Sequence, residues 1–440
     1  MSRFGEVVFL WKKFLINYND RRIFHQTMKE ELLSEDELLA LREERCINLF
    51  RHAYSNIPYY RKKYQDAGIE IDDIQSYDDF GRLPVLEKQE VREHAREMIA
   101  CSDSLSLLKR GGTGGSTGEP LLFYKSVRTG MYGVGAWKRM NIPFNANWAI
   151  IGRNPPSKQK RRMDNIFFYP CQRIYLDAAK MTREDMRNFA ESLLNLSNVA
   201  IRGYVGGICE FAEYAYANGY KFDNVIAVWT SSAPLADYQR KRLAMIFQAP
   251  VFTQYGCCEV GWLSEECVKQ NGMHIHQNIR DVDVVDDHGV RVSQEHFGRI
   301  VITDLLEFRF PLIRYALGDI GRLLTRKCDC GCNLPLMDYV RGRVTECLFF
   351  ADGTKIAGDY LTTIFDDVPM AVKSYQVRQA KDQSVRLLVC PNYEHPDCMG
   401  EIEHVGEVLK AKLPTSVAFS LDIVGNITHD RGKNRFIIHE

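Results

Sequence analysis

The sequence has no excess of charge of either sign and no long apolar run. Lys+Arg and Asp+Glu each number 57 in 440 residues, so the formal net charge is zero. Nucleic acids and acidic membrane surfaces attract proteins with a basic excess, so the composition indicates neither partner. No run of about 18 apolar residues occurs, and we therefore expect no membrane span.

The cysteine count and the first residues of the sequence also argue against a secreted protein, and we expect neither a disulfide scaffold nor an export signal. Its 13 cysteines are an odd number, which argues against a secreted disulfide scaffold. Residues 1–11 carry a short apolar patch that Glu6 interrupts, and no small-residue cleavage site follows it. We expect a cytoplasmic protein with reduced thiols.

Internal repeats and low-complexity segments are missing too, and 440 residues predict more than one domain. Apolar runs alternate with amphipathic segments, which favours an α/β fold with largely parallel strands. The predicted strands are 148–152, 199–204 and 225–229, and the predicted helices are 183–196, 208–219 and 235–247.

The spacing of apolar residues changes toward the end of the sequence. From about Gln277, alternating segments predict an antiparallel, β-rich region. After Arg343, short strands at 374–378 and 385–389 and one helix at 401–412 predict a compact α+β domain. We expect a large domain of mixed α/β sheets over residues 1–342 and a small domain over 343–440.

One stretch cannot be explained by core burial. Residues 111–118 are all Gly, Ser or Thr, and a strand-like apolar run resumes at Leu121. Glycine lets backbone N–H groups turn inward as an anion cradle, which suits a polyphosphate. The alternative is a flexible linker. Glu119-Pro120 excludes a Walker loop, and Thr117 excludes a dinucleotide fingerprint.

Three further segments suggest a nucleotide site only when taken together. Tyr255 follows a short apolar strand and can stack on a base, while Glu259 is a candidate Mg²⁺ ligand; a plain turn is the alternative. Asp319 lies in a Gly-Asp turn and can accept ribose hydroxyls. Lys433 follows a glycine near the end of the chain, where a lysine usually just faces water.

These four segments, in this order and at these separations, resemble the adenylate-forming superfamily. Within it, the chain is similar to phenylacetate–CoA ligases and their capsule-biosynthesis relatives. The resemblance begins at residues 55–61 and 83–88, both typical of that branch, and runs to Lys433. It implies an acyl-CoA synthetase-like fold with a mobile C-terminal lid domain.

The resemblance also implies site residues. The residues implied to carry catalysis are Thr113, Glu259 as the Mg²⁺ ligand, and Lys433, which bridges the substrate carboxylate and the α-phosphate of ATP. The residues implied to bind the nucleotide are Gly114, Gly115, Ser116, Thr117 and Gly118 at the phosphates; Ser232, Ala233, Pro234, Tyr255 and Gly256 at the adenine; and Asp319 and Arg343 at the ribose. Two departures from the family pattern are Glu119, where many relatives have lysine, and Glu346, where aspartate is usual.

The implied reaction needs no general base. A carboxylate is already ionised at neutral pH, so it attacks the α-phosphorus directly and pyrophosphate leaves. Positioning and positive charge must then hold the anions together. Arg343 lies at the implied hinge, whose rotation replaces Lys433 by a thiol channel for CoA. The alternatives are an amine, a hydroxyl or a carrier protein as acceptor, or a retired nucleotide-binding module.

The cysteines give a separate signal. Residues 328–332 hold three thiols, and Cys267 precedes His274 and His276. Thiolates and imidazoles suit tetrahedral Zn²⁺, although ordinary reduced cysteines in a turn are the alternative. The phenylacetate–CoA ligase branch looks similar here and implies a closed structural site. Its implied ligands are Cys267, His274, Cys328 and Cys330, with Cys332 and His276 as rivals.

The sequence does not identify the carboxylic acid substrate. Its pocket is expected along residues 202–207 and 231–233, where Tyr204 and Trp229 suit an apolar group and Arg202 suits a second carboxylate. Both alternatives stay open. The assembly state is not legible either, and a homodimer stays open.

Overall fold

The computed structural model describes residues 7, 11, 18–100, 108–113, 121–126, 133–152, 155–178, 181–340, 347–352, 354–357, 368, 371–427 and 437–440. The chain forms two compact units, one of Met1–Phe144 with Gln254–Val340 and one of Asn145–Thr253 with Arg341–Glu440. The predicted domain boundary at residues 342 and 343 lies outside the described residues and stays a prediction. No helix in the described part of the chain is both long and apolar enough to span a bilayer.

The described helices are numbered in chain order. They are α1 (Tyr18–Glu30), α2 (Glu35–Asn56), α3 (Pro58–Asp66), α4 (Tyr77–Phe80), α5 (Lys88–His94), α6 (Val134–Arg139), α7 (Lys158–Phe167), α8 (Arg183–Leu194), α9 (Val205–Ala217), α10 (Asp237–Phe247) and α11 (Cys398–Lys412), with a 3₁₀ turn at Ile71–Asp73.

The described strands are numbered in the same way. They are β1 (Leu108–Thr113), β2 (Leu121–Ser126), β3 (Asn147–Gly152), β4 (Arg173–Asp177), β5 (Val199–Tyr204), β6 (Val225–Ser231), β7 (Val251–Cys257), β8 (Gly261–Glu265), β9 (Met273–Ile275), β10 (Arg280–Val285), β11 (Gly298–Asp304), β12 (Tyr315–Gly321), β13 (Leu323–Leu324), β14 (Leu336–Met337), β15 (Cys347–Phe349), β16 (Lys355–Ala357), β17 (Val372–Gln379), β18 (Val385–Pro391), β19 (Phe419–Ile423) and β20 (Ile437–His439).

The first unit packs helices α2 and α3 against antiparallel strands. Helix α2 begins at a capping box, in which Ser34 and Glu37 each bond the other's backbone N–H. Its buried residues continue into a core that includes Phe50, Tyr60 and Tyr315 of β12. Strands β10, β11 and β12 form an antiparallel sheet, so the predicted antiparallel region after Gln277 is confirmed.

The second unit contains the predicted parallel sheet. Strands β6, β5, β3 and β4 lie side by side in that order, all parallel. Helices α8, α9 and α10 bury their apolar faces on one side of it, in a core with Phe189, Phe211 and Phe247. The sequence predicted these alternating elements, because each helix carries a 3.6-residue apolar period and each strand is short and apolar.

Residues 371–427 and 437–440 of the second unit form a four-stranded sheet in the order β19, β18, β17, β20. Helix α11 packs on it through Ile402, Val405 and Leu409. The helix and two strands predicted from the sequence in this segment are confirmed.

Candidate functional site

The glycine-rich segment joins the two strands of an antiparallel hairpin. Thr113 ends β1 and pairs with Leu121, the first residue of β2. A Cβ atom at Gly111 would lie 2.4 Å from the Phe123 ring, so only glycine fits beneath that ring. Residues 114–118 and the side chain of Thr113 lie outside the described residues, and their contacts with phosphate stay predictions.

Strand β2, which follows the glycine-rich segment, is bonded to the residue before Glu259. The Lys125 ammonium donates to the backbone carbonyl of Cys258 at 2.8 Å. One residue on, the Ser126 hydroxyl and backbone N–H each donate to the Glu307 carboxylate at 2.9 Å. The base of the proposed phosphate loop is therefore held next to the proposed Mg²⁺ ligand.

Glu259 is buried and held by a tyrosine. The Tyr315 hydroxyl donates to Glu259 Oε1 at 3.0 Å, and Glu259 is only 7% exposed. Burial, with the neighbouring Glu259 charge, raises the pKa of Tyr315 far above its usual value, so the phenol stays a neutral donor. A fixed carboxylate of this kind suits Mg²⁺, which prefers carboxylate and phosphate oxygens.

Asp319 and Tyr255 are joined directly. The Tyr255 hydroxyl donates to Asp319 Oδ2 at 2.8 Å. Gly318, just before Asp319, has φ +78°, a left-handed conformation that favours glycine. One contact thus fixes together the residue proposed to stack on adenine and the residue proposed to bind ribose.

Gly256 has a structural reason to be glycine. A Cβ atom there would lie 2.3 Å from the Gly261 carbonyl oxygen on β8, so a side chain would push the two strands apart. This contact accounts for the residue type without a ligand, and the predicted nucleotide contact of Gly256 is untested.

Ser232, Ala233 and Pro234 lie in the second unit, directly after β6. Ser232 has φ +74°, which is unusual for a residue with a side chain. Such backbone strain is often found at binding sites. Ligands of open α/β sheets bind beyond the carboxyl ends of the strands, where this segment lies. Its contact with adenine stays a prediction.

Lys433 and Arg343 both lie outside the described residues. Their predicted roles, at the reacting carboxylate and at the hinge, rest on the sequence alone.

The four predicted zinc ligands come together in the first unit. The ligand atoms of Cys267, His274, Cys328 and Cys330 all lie within 4.8 Å of one another. The Cys267 and Cys328 sulfurs are 3.5 Å apart, and the Cys330 sulfur is 3.3 Å from His274 Nε2. Tetrahedral zinc with bonds of about 2.0–2.3 Å places its ligand atoms about 3.3–3.8 Å apart. The donor set therefore fits zinc.

The protonation state and the ring orientation of His274 both agree with a role as a metal ligand. Its Nδ1 lies 3.3 Å from the Leu334 carbonyl oxygen, so Nδ1–H can donate there and leave Nε2 for the metal. Burial, with the nearby Arg139 charge, lowers the pKa of His274 to about 4. The imidazole is therefore neutral at pH 7, which is the form that binds metals.

The two rival ligands have other partners. His276 Nε2 lies 2.5 Å from Glu265 Oε2, and both side chains are almost fully buried. Cys332 lies 3.9 Å from Glu31 Oε2. Arg139 pairs with both of these glutamates. Cys332 and His276 therefore belong to a buried ionic network beside the cluster, and the geometry favours the ligand set predicted first.

Sequence reasoning missed Lys125, Tyr315 and the Tyr255–Asp319 contact. For Tyr315 a signal was present, since it lies four residues before Asp319 in the same strand. For Lys125 there was none, because its contact with Cys258 spans 133 residues.

No family model matches the chain. Curated relatives do. A phenylacetate–coenzyme A ligase from Aromatoleum evansii is 33% identical over 315 residues, which cover 67% of this chain and 68% of the relative. A phenylacetate–coenzyme A ligase from Thermus thermophilus is 22% identical and covers 79% of each chain. Protein CapK from Staphylococcus aureus is 22% identical and covers 92% of this chain and 90% of its own.

Solved structures share the fold. A crystal structure of 2-hydroxyisobutyryl-CoA ligase in the postadenylation state, in complex with R3-HIB-AMP, superposes with a TM-score of 0.75 at 16% identity. The match covers 94% of this chain and 91% of that one. The same ligase bound to 2-HIB-AMP and CoA in the thioesterification state gives a TM-score of 0.61 over 94% of this chain and 91% of that one. The predicted acyl-CoA synthetase-like fold is thereby confirmed.

Proposed function

The chain belongs to the phenylacetate–coenzyme A ligase family, and we propose from this premise that it activates a small carboxylic acid with ATP. The acid forms an acyl adenylate and releases pyrophosphate, and the acyl group then passes to the thiol of CoA. We place this reaction in the cytoplasm. The acid itself is left open.

The observation that carries this proposal is the meeting of three separated motifs in one unit. The Tyr255 hydroxyl bonds Asp319, the Tyr315 hydroxyl bonds Glu259, and Lys125 ties the exit of the glycine-rich segment to Cys258. Groups suited to a base, a ribose and a phosphate-bound cation are thus fixed together. A retired nucleotide-binding module would have no need for the additional lysine at position 433.

The chemistry asks the protein to bring anions together. The substrate carboxylate is ionised at neutral pH and needs no base, so the residues have to align it with the α-phosphorus and offset the charge. Backbone amides of residues 114–118 would hold the outer phosphates, and Lys433 would contact the carboxylate and the α-phosphate. Asp319 would hold the ribose and thereby fix the position of the α-phosphorus.

Mg²⁺ and Zn²⁺ would have different places. Glu259 would hold Mg²⁺, which supplies positive charge at the phosphates. Cys267, His274, Cys328 and Cys330 would hold a structural Zn²⁺, and their arrangement leaves no position for a substrate once four ligands bind. We therefore assign zinc to stability and the nucleotide site to chemistry.

Pyrophosphate exchange tests the first half-reaction. Labelled pyrophosphate enters ATP only when an added acid forms an adenylate, so a panel of aryl, fatty, amino and sugar acids should single out one class. No exchange with any class would contradict the proposal.

The acceptor is tested separately. With the acid identified, CoA should give a thioester product. The alternative passes the adenylate to an amine, a hydroxyl or a carrier protein. We keep this alternative because the chain is similar to protein CapK over 92% of its length. AMP release that does not depend on CoA but requires one of these acceptors would favour the alternative. A homodimer stays a prediction that sedimentation velocity would test.

Replacing Asp319 with alanine should weaken ATP binding and leave binding of the acid intact. Loss of two hydrogen bonds to the ribose costs about 1–3 kcal/mol, which corresponds to a rise in the KM for ATP of roughly 5- to 150-fold. Steady-state kinetics with each substrate varied measures the two KM values.

Tyr255→Phe is the matched control for this variant. It keeps the ring proposed to stack on adenine and removes only the hydroxyl that orients Asp319. We expect a rise of only a few-fold in the KM for ATP, since the Asp319 carboxylate proposed to bind the ribose remains in this variant. An unchanged KM for ATP in Asp319→Ala would remove this residue from the ribose site.

A further inference from the structure

Helix α7 carries apolar side chains on its exposed side. Met163 is 62% exposed, Ile166 is 67% exposed and Phe167 is 36% exposed. None of the ten residues of the helix is buried. At 100° per residue, these three side chains share one strip along the helix. We call Met163, Ile166 and Phe167 the outer strip.

The inner side of α7 is polar instead. Asn165 Oδ1 accepts the backbone N–H of Arg173 on β4 at 2.8 Å. Arg161 donates from Nε to the Pro156 carbonyl at 2.7 Å and lies over the Tyr175 ring. A helix on a sheet normally turns its apolar side inward. The reversed orientation leaves the side chains of the outer strip exposed.

Cations flank the outer strip. Lys158 and Arg162 lie along one edge of it and Lys160 along the other, and all three are exposed. Asp164, the one acidic residue of α7, is only partly exposed and lies on the inner side. An apolar strip with a cationic rim is the arrangement of helices that lie in a membrane interface.

We propose that α7 docks on the surface of an anionic lipid bilayer. The outer strip would enter the boundary between headgroups and acyl chains, and the three cations would contact anionic headgroups. A second copy of the chain fits less well, because a two-fold interface would bring the same cations face to face. The zero net charge of the chain does not oppose binding through α7, since salt screens the interaction of each exposed charge beyond about 10 Å.

Vesicle sedimentation of the full-length protein tests this proposal. One set of vesicles is phosphatidylcholine alone, and the other is an equimolar mixture with phosphatidylglycerol. The charge variant is Lys158→Gln with Lys160→Gln and Arg162→Gln. The apolar variant is Met163→Gln with Ile166→Gln. The matched control is Lys241→Gln with Met245→Gln, which changes an exposed lysine and an exposed methionine of α10.

We expect the wild-type protein and the α10 control to sediment with the anionic vesicles only. The charge variant should lose on the order of a hundredfold in partitioning, since each of the three cations near such a surface contributes about fivefold. The apolar variant should lose binding while thermal unfolding and pyrophosphate exchange without lipid stay unchanged. Those two readouts separate this proposal from the proposed ligase activity, which does not involve α7.

Three outcomes would overturn the proposal. Equal binding of every variant would show that another surface carries the protein to the vesicles. Self-association without lipid that disappears in the apolar variant would assign the outer strip to a second copy. Binding to soluble polyglutamate as tight as binding to anionic vesicles would assign it to an acidic protein.

Discussion

Lys433→Ala is expected to abolish acyl-adenylate formation and to spare the second half-reaction. Pyrophosphate exchange should fall by about a thousandfold, because a preorganised charge at the site where anions converge contributes on that scale. Thioester synthesis from a chemically prepared adenylate and CoA should continue at near the wild-type rate.

The physical reason lies in where charge changes during each step. During adenylation, the substrate carboxylate approaches an α-phosphate that is also negative, and a cation between them offsets their repulsion. During thioester formation, the thiol loses its proton and attacks the neutral acyl carbon, and AMP leaves with the electrons of the broken C–O bond, so that cation is no longer needed between the two reactants. We propose that residues 343–440 move as a lid about Arg343 and withdraw Lys433 between the steps.

Single-turnover assays of the two half-reactions measure this split. The matched control is Lys410→Ala, which removes an exposed lysine of α11 in the same C-terminal segment. It should leave both half-reactions unchanged. A full exchange rate in Lys433→Ala would take this lysine out of the reaction, and equal losses in both half-reactions would indicate a folding defect.

Local periodicity was enough to predict much of the fold. The predicted strand at 199–204 coincides with β5, and the predicted helix at 183–196 exceeds α8 by two residues. Helix α8 buries one face and strand β5 buries four of its six residues, and burial of either kind leaves an apolar pattern in the sequence. Helix α7 was not predicted, because its first five residues are all polar or charged and only three apolar residues follow, too few to give a clear period.

The site was predictable only in part, for a physical reason. Glycine, tyrosine and carboxylate residues in the motifs could be found from their chemistry, but their mutual contacts depend on long-range packing. The Tyr255–Asp319 contact spans 64 residues, and the Tyr315–Glu259 contact spans 56. Neither distance leaves a local pattern. The choice between Cys330 and Cys332 was likewise open in the sequence, since both lie in one turn.

The turn that holds these two thiols shows how packing makes that choice. Gly331 lies between them with φ +83°, a left-handed conformation that reverses the chain. As a result the Cys330 sulfur lies near His274, and the Cys332 sulfur lies near Glu31 and the buried Arg139. One side of the turn therefore faces the proposed metal and the other faces an ionic network. This difference defines a matched pair of variants.

We expect Cys328→Ser to lose the bound zinc and much of the free energy of unfolding, whereas Cys332→Ser should keep both nearly unchanged. Binding of a structural zinc ion adds directly to the free energy of folding, at about 10–16 kcal/mol for isolated zinc peptides. A larger fold retains part of its stability without the metal, so we expect a loss of at least about 3 kcal/mol from Cys328→Ser. The control removes a thiol of the same type four residues away, outside the ligand set.

Two measurements on the purified full-length protein decide the case. Elemental analysis should find about one zinc per chain in the wild type and in Cys332→Ser, and much less in Cys328→Ser. Thermal unfolding with a strong chelator should lower the Tm of the wild type toward that of Cys328→Ser and leave the Tm of that variant unchanged. Equal zinc content in both variants would mean that Cys328 is not a ligand. Zinc lost only from Cys332→Ser would move the site to the other side of the turn, because the metal would then bind where Glu31 and Arg139 now meet that thiol.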